Sequence, residues 1–418
     1  MSLAEPTRTL TRETSDAGPS PDEGPGGGRL AVTSRRAGRV VLALAIIGFW
    51  VEVAPRYLFG IDPLTKESIV FRYHPRLGWW HEPGKSGVFV KIDCRQPVEI
   101  NSRGLREREI GYEKPPGLYR VLVLGNSVTV GFEVPAEKVL TRVMEDEFSR
   151  VGHKAQVINA ACRGWGSDQS LVFLEQEGLK YHPDLVVYVI GGIEPATNME
   201  LHRPYRDFGK GYFDLDEGGE LTLRNVPVPH YPADAEVFLG EDGRVVERTC
   251  AARQAWFLWF RDTVVCRSSA CTLLLNTLMS NPALTRFLND RGAYKARTSA
   301  PTSDPRAGRS FRLTSATFKA MKRASERAGA RFMLCTPTVD IQPGPEYPAY
   351  YEELGIPYWD FLKESRDLFP PGVPLRFKHD AHLNVAGHAA VGRAMARGLI
   401  ARGLVPASGG AVEGVGRP

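Results

Sequence analysis

Four short aliphatic runs constrain this chain most: RVLVLG (120–125), AQVINA (155–160), DLVVYVIGG (184–192) and ARFMLCT (330–336). None alternates strictly between apolar and polar residues, so none suits a sheet with one face in water. Runs apolar on both faces belong in a parallel sheet covered by helices on either side. The segments between them supply the covers. EKVLTRVMEDEFSRVG, DQSLVFLEQEGLKY, SATFKAMKRASERAG and GHAAVGRAMARGLIARG place apolar residues at helical spacing. The expected class is α/β, three layers around a parallel sheet.

Two regions break that rhythm. Residues 60–117, with HPRLGWWHEPG, GVFVKID and VEINSRGLRERE, read as a β-rich lead-in to a domain over 118–405. Residues 200–310 form an insertion between the third and fourth strands, too long for a plain loop and therefore a cap. It opens with the hairpin-like GYFDLDEGGELTLRN and continues with apolar helices around WFLWF and CTLLLNTLM. The LLLNTLM stretch is expected to lie in the buried core of the cap, with a membrane-touching patch as the alternative.

Both ends differ from the middle. Residues 1–37 and 406–418 are rich in Gly, Pro, Ser and charge, with too little apolar surface to offset the entropy of ordering, and are expected to be disordered tails. Between the first tail and the lead-in, residues 38–59 carry the uncharged stretch Val40–Val51, with Arg35, Arg36 and Arg39 before it and Trp50 and Tyr57 where interfacial aromatics belong. Carried through Phe59 the segment is long enough to span a bilayer as an anchor; its uncharged core alone is closer to a signal peptide, and a buried core helix is the third reading. On either of the first two, the arginines place everything after Pro55 outside the cytoplasm.

A net charge of +5 on 418 residues is small and not clustered, so no nucleic-acid partner is expected. Of the six cysteines, Cys162 and Cys335 sit in apolar runs as small core residues, whereas Cys250, Cys266 and Cys271 share a loop-rich stretch where a disulfide would be feasible.

In an open parallel sheet, ligands bind outside the carboxyl ends of the strands, and the polar motifs fall there. The first run ends in Gly125-Asn126-Ser127, with Gly131 four residues on, a tight turn into a helix. Ser127 reads either as a nucleophile or as a helix cap. Thr129 takes the place of the second glycine of a G-x-S-x-G elbow, and no G-x-G-x-x-G follows the strand. Near the other end, FKHDAHLNVAGHAA gathers His379, His382 and His388 with Asp380. A serine needs a base, and an imidazole serves as one when a third group fixes its tautomer; Asp380 and His382 supply that pair from one loop. A metal site on His379, Asp380, His382 and His388, or a capping aspartate beside surface histidines, are the competing readings.

With these residues in hand, the chain resembles the SGNH, or GDSL, hydrolases across roughly 118–405. Gly125-Asn126-Ser127-Val128-Thr129-Val130-Gly131 is similar to their G-D-S-x-x-x-G block, VINAACRGWGSDQ to their second block, and HDAHLNVAGH to their last, with Asp380, His382, Asn384 and Gly387. NSRGLREREI is similar to the N-S-x-G-x-R lead-in of membrane-attached bacterial members. The resemblance implies an SGNH-hydrolase-like, flavodoxin-like fold and a Ser127–His382–Asp380 triad. It also implies an oxyanion hole from the backbone N–H groups of Ser127 and Gly164, ester or acylated glycan or lipid substrates, and no metal or organic cofactor.

Two positions depart from the pattern. Asn126 replaces an aspartate, and GGIEPATN stands where G-x-N-D is expected, so that Gly192 or Ile193 takes the place of an asparagine donor and Asn198 is a distant substitute. Glu194 is a complication, because a carboxylate aimed into the hole would repel an oxyanion. Trp165, beside Gly164, is either a sugar platform or wall packing. The expectation is a membrane-anchored serine esterase or O-acyltransferase. Its rival is a catalytically silent domain of the same fold that binds glycan or an envelope partner.

Overall fold

A computed structural model describes residues 26–191, 194–204, 206–279, 308–336, 353–360, 365–369 and 371–407. They fall into two compact units that divide between Ala54 and Pro55. The first unit is helical. Helix α1 (Gly26–Phe59) begins upstream of the expected residue 38, since Leu30, Ala31, Arg35 and Arg36 are good helix formers and no proline intervenes before Pro55. Its Arg36–Phe59 portion is long and apolar enough to cross a membrane. Val40, Leu44, Ile47 and Trp50 along it are all exposed.

The second unit opens with two antiparallel hairpins. Strand β1 (Phe71–His74) pairs with β2 (Gly78–His81), and β3 (Ser86–Lys91) with β4 (Cys94–Glu99). Phe89, Val98 and Ile100 of the second hairpin pack on Val130 and Phe132, so the lead-in covers the segment that follows Ser127.

The central sheet then forms from β5 (Tyr119–Leu124), β6 (Ala155–Asn159), β7 (Leu185–Val189), β13 (Arg331–Cys335) and β14 (Tyr358–Trp359), in the order β14-β13-β7-β5-β6 and parallel throughout. Four of these are the aliphatic runs of the sequence. The fifth is two residues long and left no periodic signal. Residues of β5 show why both faces must be apolar: Leu122 and Leu124 point to one layer, Val121 and Val123 to the other, and all four are fully buried.

Helices close both faces. On one side stand α4 (Ser167–Gln176), through Phe173 and Leu174, and α8 (Arg309–Arg327), through Phe318 and Met321. On the other stand α3 (Leu140–Arg150), through Met144 and Phe148, and α9 (Val385–Ala401), through Val391 and Met395. The expected three-layer, flavodoxin-like class is what the structure shows. Helices α3 and α9 approach closely because Gly392 faces α3; a Cβ there would stand 2.6 Å from the Leu140 carbonyl oxygen.

The insertion holds β8 (Glu200–His202), β11 (Ala235–Leu239) and β12 (Val245–Thr249) as one antiparallel sheet, and β9 (Tyr212–Leu215) with β10 (Leu221–Arg224) as the expected hairpin. Its helices are α6 (Ala252–Thr263) and α7 (Ser269–Met279), and α7 departs from expectation. Leu274 and Leu278 are exposed, as are Trp256 and Trp259 of α6, so LLLNTLM does not build a buried cap core; helical spacing specifies an apolar face but not what covers it. Residues 280–307 of the insertion and 408–418 of the C-terminal segment lie outside the described residues. All six cysteines are free thiols, Cys250, Cys266 and Cys271 included, so the feasible disulfide is not formed. Cys162 and Cys335 are core residues.

Candidate active site

Strand order places β5 between β6 and β7, and the chain crosses over β5 to reach β7. The crevice of such a sheet opens at this reversal, outside the carboxyl ends of the strands. Ser127 stands there, at the start of the short helix α2 (Ser127–Val130) directly after β5. Asn126 caps that helix, its Oδ1 accepting from the Val128 N–H at 3.1 Å. The neutral amide keeps the capping acceptor that an aspartate would have offered. Gly191, two residues beyond β7, leaves room for the Asn126 side chain, whose amide nitrogen a Cβ there would meet at 2.0 Å. Gly131 closes α2 in the left-handed region, φ 63°.

The loop before α9 meets Ser127. His382 Nε2 lies 2.8 Å from Ser127 Oγ, and His382 Nδ1 is hydrogen-bonded to Asp380 Oδ1. The same carboxylate oxygen accepts the His382 backbone N–H at 3.0 Å, which closes a small ring and fixes the imidazole. Burial raises the Asp380 carboxyl, but the hydrogen bonds and charge of His382, with Arg163 behind, outweigh it and hold it at about 2. A carboxyl held below its unfolded value stabilises the fold above the ordinary carboxylate range and loses that contribution as pH falls through its folded value. Lowering the pH from about 5 to about 2 should therefore cost the native chain about 2 kcal/mol more stability than it costs Asp380→Asn. Equal losses in the two proteins would contradict this.

The histidine cluster of the sequence is not a cluster in space. His379 Nδ1 bonds Asp93 Oδ1 at 2.7 Å, at the turn between β3 and β4. His388 is buried on α9, where its Nδ1 accepts the Leu140 N–H at 3.2 Å, and burial with the nearby charges of Arg106 and His382 pushes it down to about 3. The four-residue metal site is therefore overturned. Asn384 and Gly387 serve the loop: Asn384 caps α9 and also donates to the Pro374 and Arg376 carbonyls at 2.7 and 3.0 Å. A Cβ on Gly387 would meet the Leu375 oxygen at 2.1 Å.

Gly164 lies in the turn after β6, with φ 74°. That turn is tied to the nucleophile turn, because the Cys162 N–H donates to the Gly125 carbonyl at 3.3 Å. The backbone N–H groups of Ser127 and Gly164 donate to no acceptor among the described residues. Gly192 and Ile193 lie outside the described residues. Asn198 is not a spare donor: its Nδ2 serves Ser167 Oγ and Thr314 Oγ1, both at 2.8 Å, and it is buried. Glu194 turns to the Gly191 backbone N–H, which it accepts. Trp165 is wall packing and not a sugar platform, being 1% exposed and stacked on Trp80 at 4.9 Å.

Sequence reasoning missed Glu133 and Arg163. Glu133 Oε1 lies 3.4 Å from His382 Nδ1 and accepts Arg163 Nη1 at 2.5 Å, with both side chains buried. Among the described residues, Glu133, Asp380 and His382 are the group within mutual reach of a metal ion. The two ring nitrogens of His382 are already engaged by Asp380 and Ser127, which suits a base better than a ligand. Arg106, of the NSRGLR stretch, donates to the carbonyls of Val130, Gly131 and Val134 and so clamps the segment carrying Glu133.

No family model matches this chain, and no curated protein matches it. Among solved structures it is similar to TesA, at 12% identity over 67% of this chain and 98% of that one, TM-score 0.34. It is similar also to the psychrotrophic esterase EstA from Pseudoalteromonas sp., at 12% identity over 68% and 98%, TM-score 0.32. A third is the lipase/acylhydrolase from Enterococcus faecalis, at 15% identity over 68% and 96%, TM-score 0.27. Scores this low give the likeness no weight for function.

Proposed function

We propose that this chain is a membrane-anchored serine hydrolase of SGNH type that cleaves or transfers acyl groups held in ester linkage. The observation that carries the reading is the 2.8 Å approach of Ser127 Oγ to His382 Nε2, with Nδ1 of the same ring held by Asp380. Neutral His382 takes the hydroxyl proton as Ser127 Oγ bonds to the ester carbonyl carbon. The carbonyl oxygen becomes an oxyanion, received by the free N–H groups of Ser127 and Gly164, with Gly192 as the third donor. His382 then returns the proton to the departing alkoxide, leaving an acyl-enzyme. Water or an acceptor hydroxyl reverses these steps and frees Ser127. Asp380 orients the ring and stabilises the imidazolium. No metal or organic cofactor enters any step. An acylated glycan or lipid is the substrate class that follows from the family resemblance.

The test is covalent labelling by a fluorophosphonate in native protein and in Ser127→Ala. The rival, a silent domain that binds glycan or an envelope partner, has one observation on its side: Asn198 is fully committed elsewhere and supplies no donor. Native protein that resists the probe and turns over no ester would favour that rival.

The anchor is α1, whose Arg36–Phe59 portion suits a bilayer, with the catalytic unit on the extracytoplasmic side given Arg35, Arg36 and Arg39 before the apolar stretch. The full chain should stay with membranes through carbonate extraction. Release as a soluble species beginning near Pro55 would mean a cleaved signal peptide instead.

A further inference from the structure

We infer that Glu133 is a positioning residue that docks the loop of His382 onto the loop of the nucleophile, a role that Asp380 cannot fill. The inference rests on the serine-hydrolase reading above.

Asp380 and His382 are two residues apart on one loop, and their hydrogen bonds are internal to it. They fix the ring relative to its own backbone. They do not fix that backbone relative to Ser127. Glu133 lies on the other side of the gap, six residues after Ser127 and on the same continuous segment.

That segment is held tightly. Arg106 donates to Val130 O at 3.0 Å and to Val134 O at 2.7 Å, either side of Glu133, and Asn159 Nδ2 donates to Thr129 O at 3.1 Å. Phe132 packs between Phe71, His81 and Phe89. Glu133 therefore moves with Ser127, and its Oε1, 3.4 Å from His382 Nδ1, spans the two loops. A separation of 3.4 Å is long for a hydrogen bond but short for a charge, and the attraction grows when His382 becomes an imidazolium.

A packing role alone does not account for the residue. The Glu133 side chain is 0% exposed, and its second oxygen, Oε2, has no partner among the described residues. A carboxylate placed that way carries a desolvation penalty that an apolar side chain of the same size would avoid. Arg163 offsets the penalty on Oε1 only, and Arg163 in turn reaches Glu67 at 3.5 Å. The charge is thus supported from behind and presented to the imidazole in front.

Among the described residues, the titratable and charged groups facing His382 are few. Asp380 and Glu133 are the anions, Arg163 stands behind Glu133, Arg106 lies over the carbonyls of α2 and the residues after it, and His388 is neutral on α9. Cys94, on β4, is pushed up to about 12 by burial and by the charges of Glu133 and Asp380, so its thiol adds no charge.

The experiment compares Glu133→Gln and Arg163→Gln with the native full chain in detergent, by ester turnover across pH. Labelling of native Ser127 by a fluorophosphonate comes first; if it fails, the hydrolase reading has failed and this inference with it, whereas labelling with any result below isolates Glu133. Glu133→Gln should lower kcat about 100-fold with KM nearly unchanged, the size expected for a base displaced by about an ångström. The acid limb of kcat/KM should move to lower pH by about one unit, because a negative charge beside the imidazolium is gone. Arg163→Gln removes a positive charge and should move the same limb to higher pH. Structural damage common to both variants would not shift it in opposite directions. An unchanged kcat and limb in Glu133→Gln, or limbs that shift the same way in both variants, would overturn the assignment.

Discussion

Ser127→Ala is expected to lower ester turnover by about 10⁴- to 10⁶-fold and to abolish covalent labelling, with KM little altered. The size follows from the role. On the proposed mechanism the hydroxyl forms the bond to the acyl carbon, so its loss removes the covalent route, and what is left is binding plus whatever the N–H groups of Ser127 and Gly164 give to a direct attack by water. His382→Ala should cost as much, and the double variant no more than either alone, because the two side chains act as one device through the 2.8 Å contact. The fold should tolerate the change. Ser127 lies in the first turn of α2, whose cap is Asn126 and whose tight turns are at Gly125 and Gly131. The measurement is kcat and KM on a chromogenic ester for the three variants, with thermal melts as the control for folding. Retention of more than about a tenth of native turnover in Ser127→Ala, or fully additive losses in the double variant, would remove Ser127 from the reaction.

The sheet was legible because its strands are apolar on both faces, which leaves few alternatives once helices of matching length separate them. The order of a turn serine, a glycine after the second strand and an Asp-x-His before the last helix was legible as motif. Three kinds of feature were not. Glu133 sits in GFEVPAEK with nothing to distinguish it from a surface acid, and its meaning comes from Arg163 and His382, which are 30 and 249 residues away in sequence. His379, His382 and His388 look alike in sequence, but Asp93 and the α3 terminus, both distant along the chain, draw two of them elsewhere. Trp165 beside a glycine at a strand end suggested a platform, whereas Trp80, from the lead-in, buries it. In each case the deciding partner lies on a separate element, and local pattern carries no information about which elements meet.

Arg163→Ala should destabilise the fold by about 3–5 kcal/mol, because it leaves a buried carboxylate without its cation. Burial alone would push the Arg163 guanidinium down, but Glu133 and Glu67 outweigh that and hold it above its ordinary value. Its side chain is 3% exposed, donates to Glu133 at 2.5 Å and lies over the Phe89 ring at 4.9 Å. Arg163 thus joins the turn after β6 to the lead-in and to the nucleophile segment, three pieces distant in sequence. Removing it should lower the midpoint of denaturant unfolding without changing the slope. Two further variants separate charge from packing. Arg163→Met keeps much of the contact with Phe89 but leaves Glu133 unpaired, and should lose nearly as much as alanine. Adding Glu133→Gln to Arg163→Met removes the stranded charge and should recover at least half of that loss, since the penalty lies in the unpaired ion and not in the absence of the pair. Recovery of stability in that double variant should come without recovery of turnover, because the anion that docks His382 would still be missing. A loss below about 1 kcal/mol in Arg163→Ala would mean that water reaches Glu133, and the pair would then be an ordinary surface bridge.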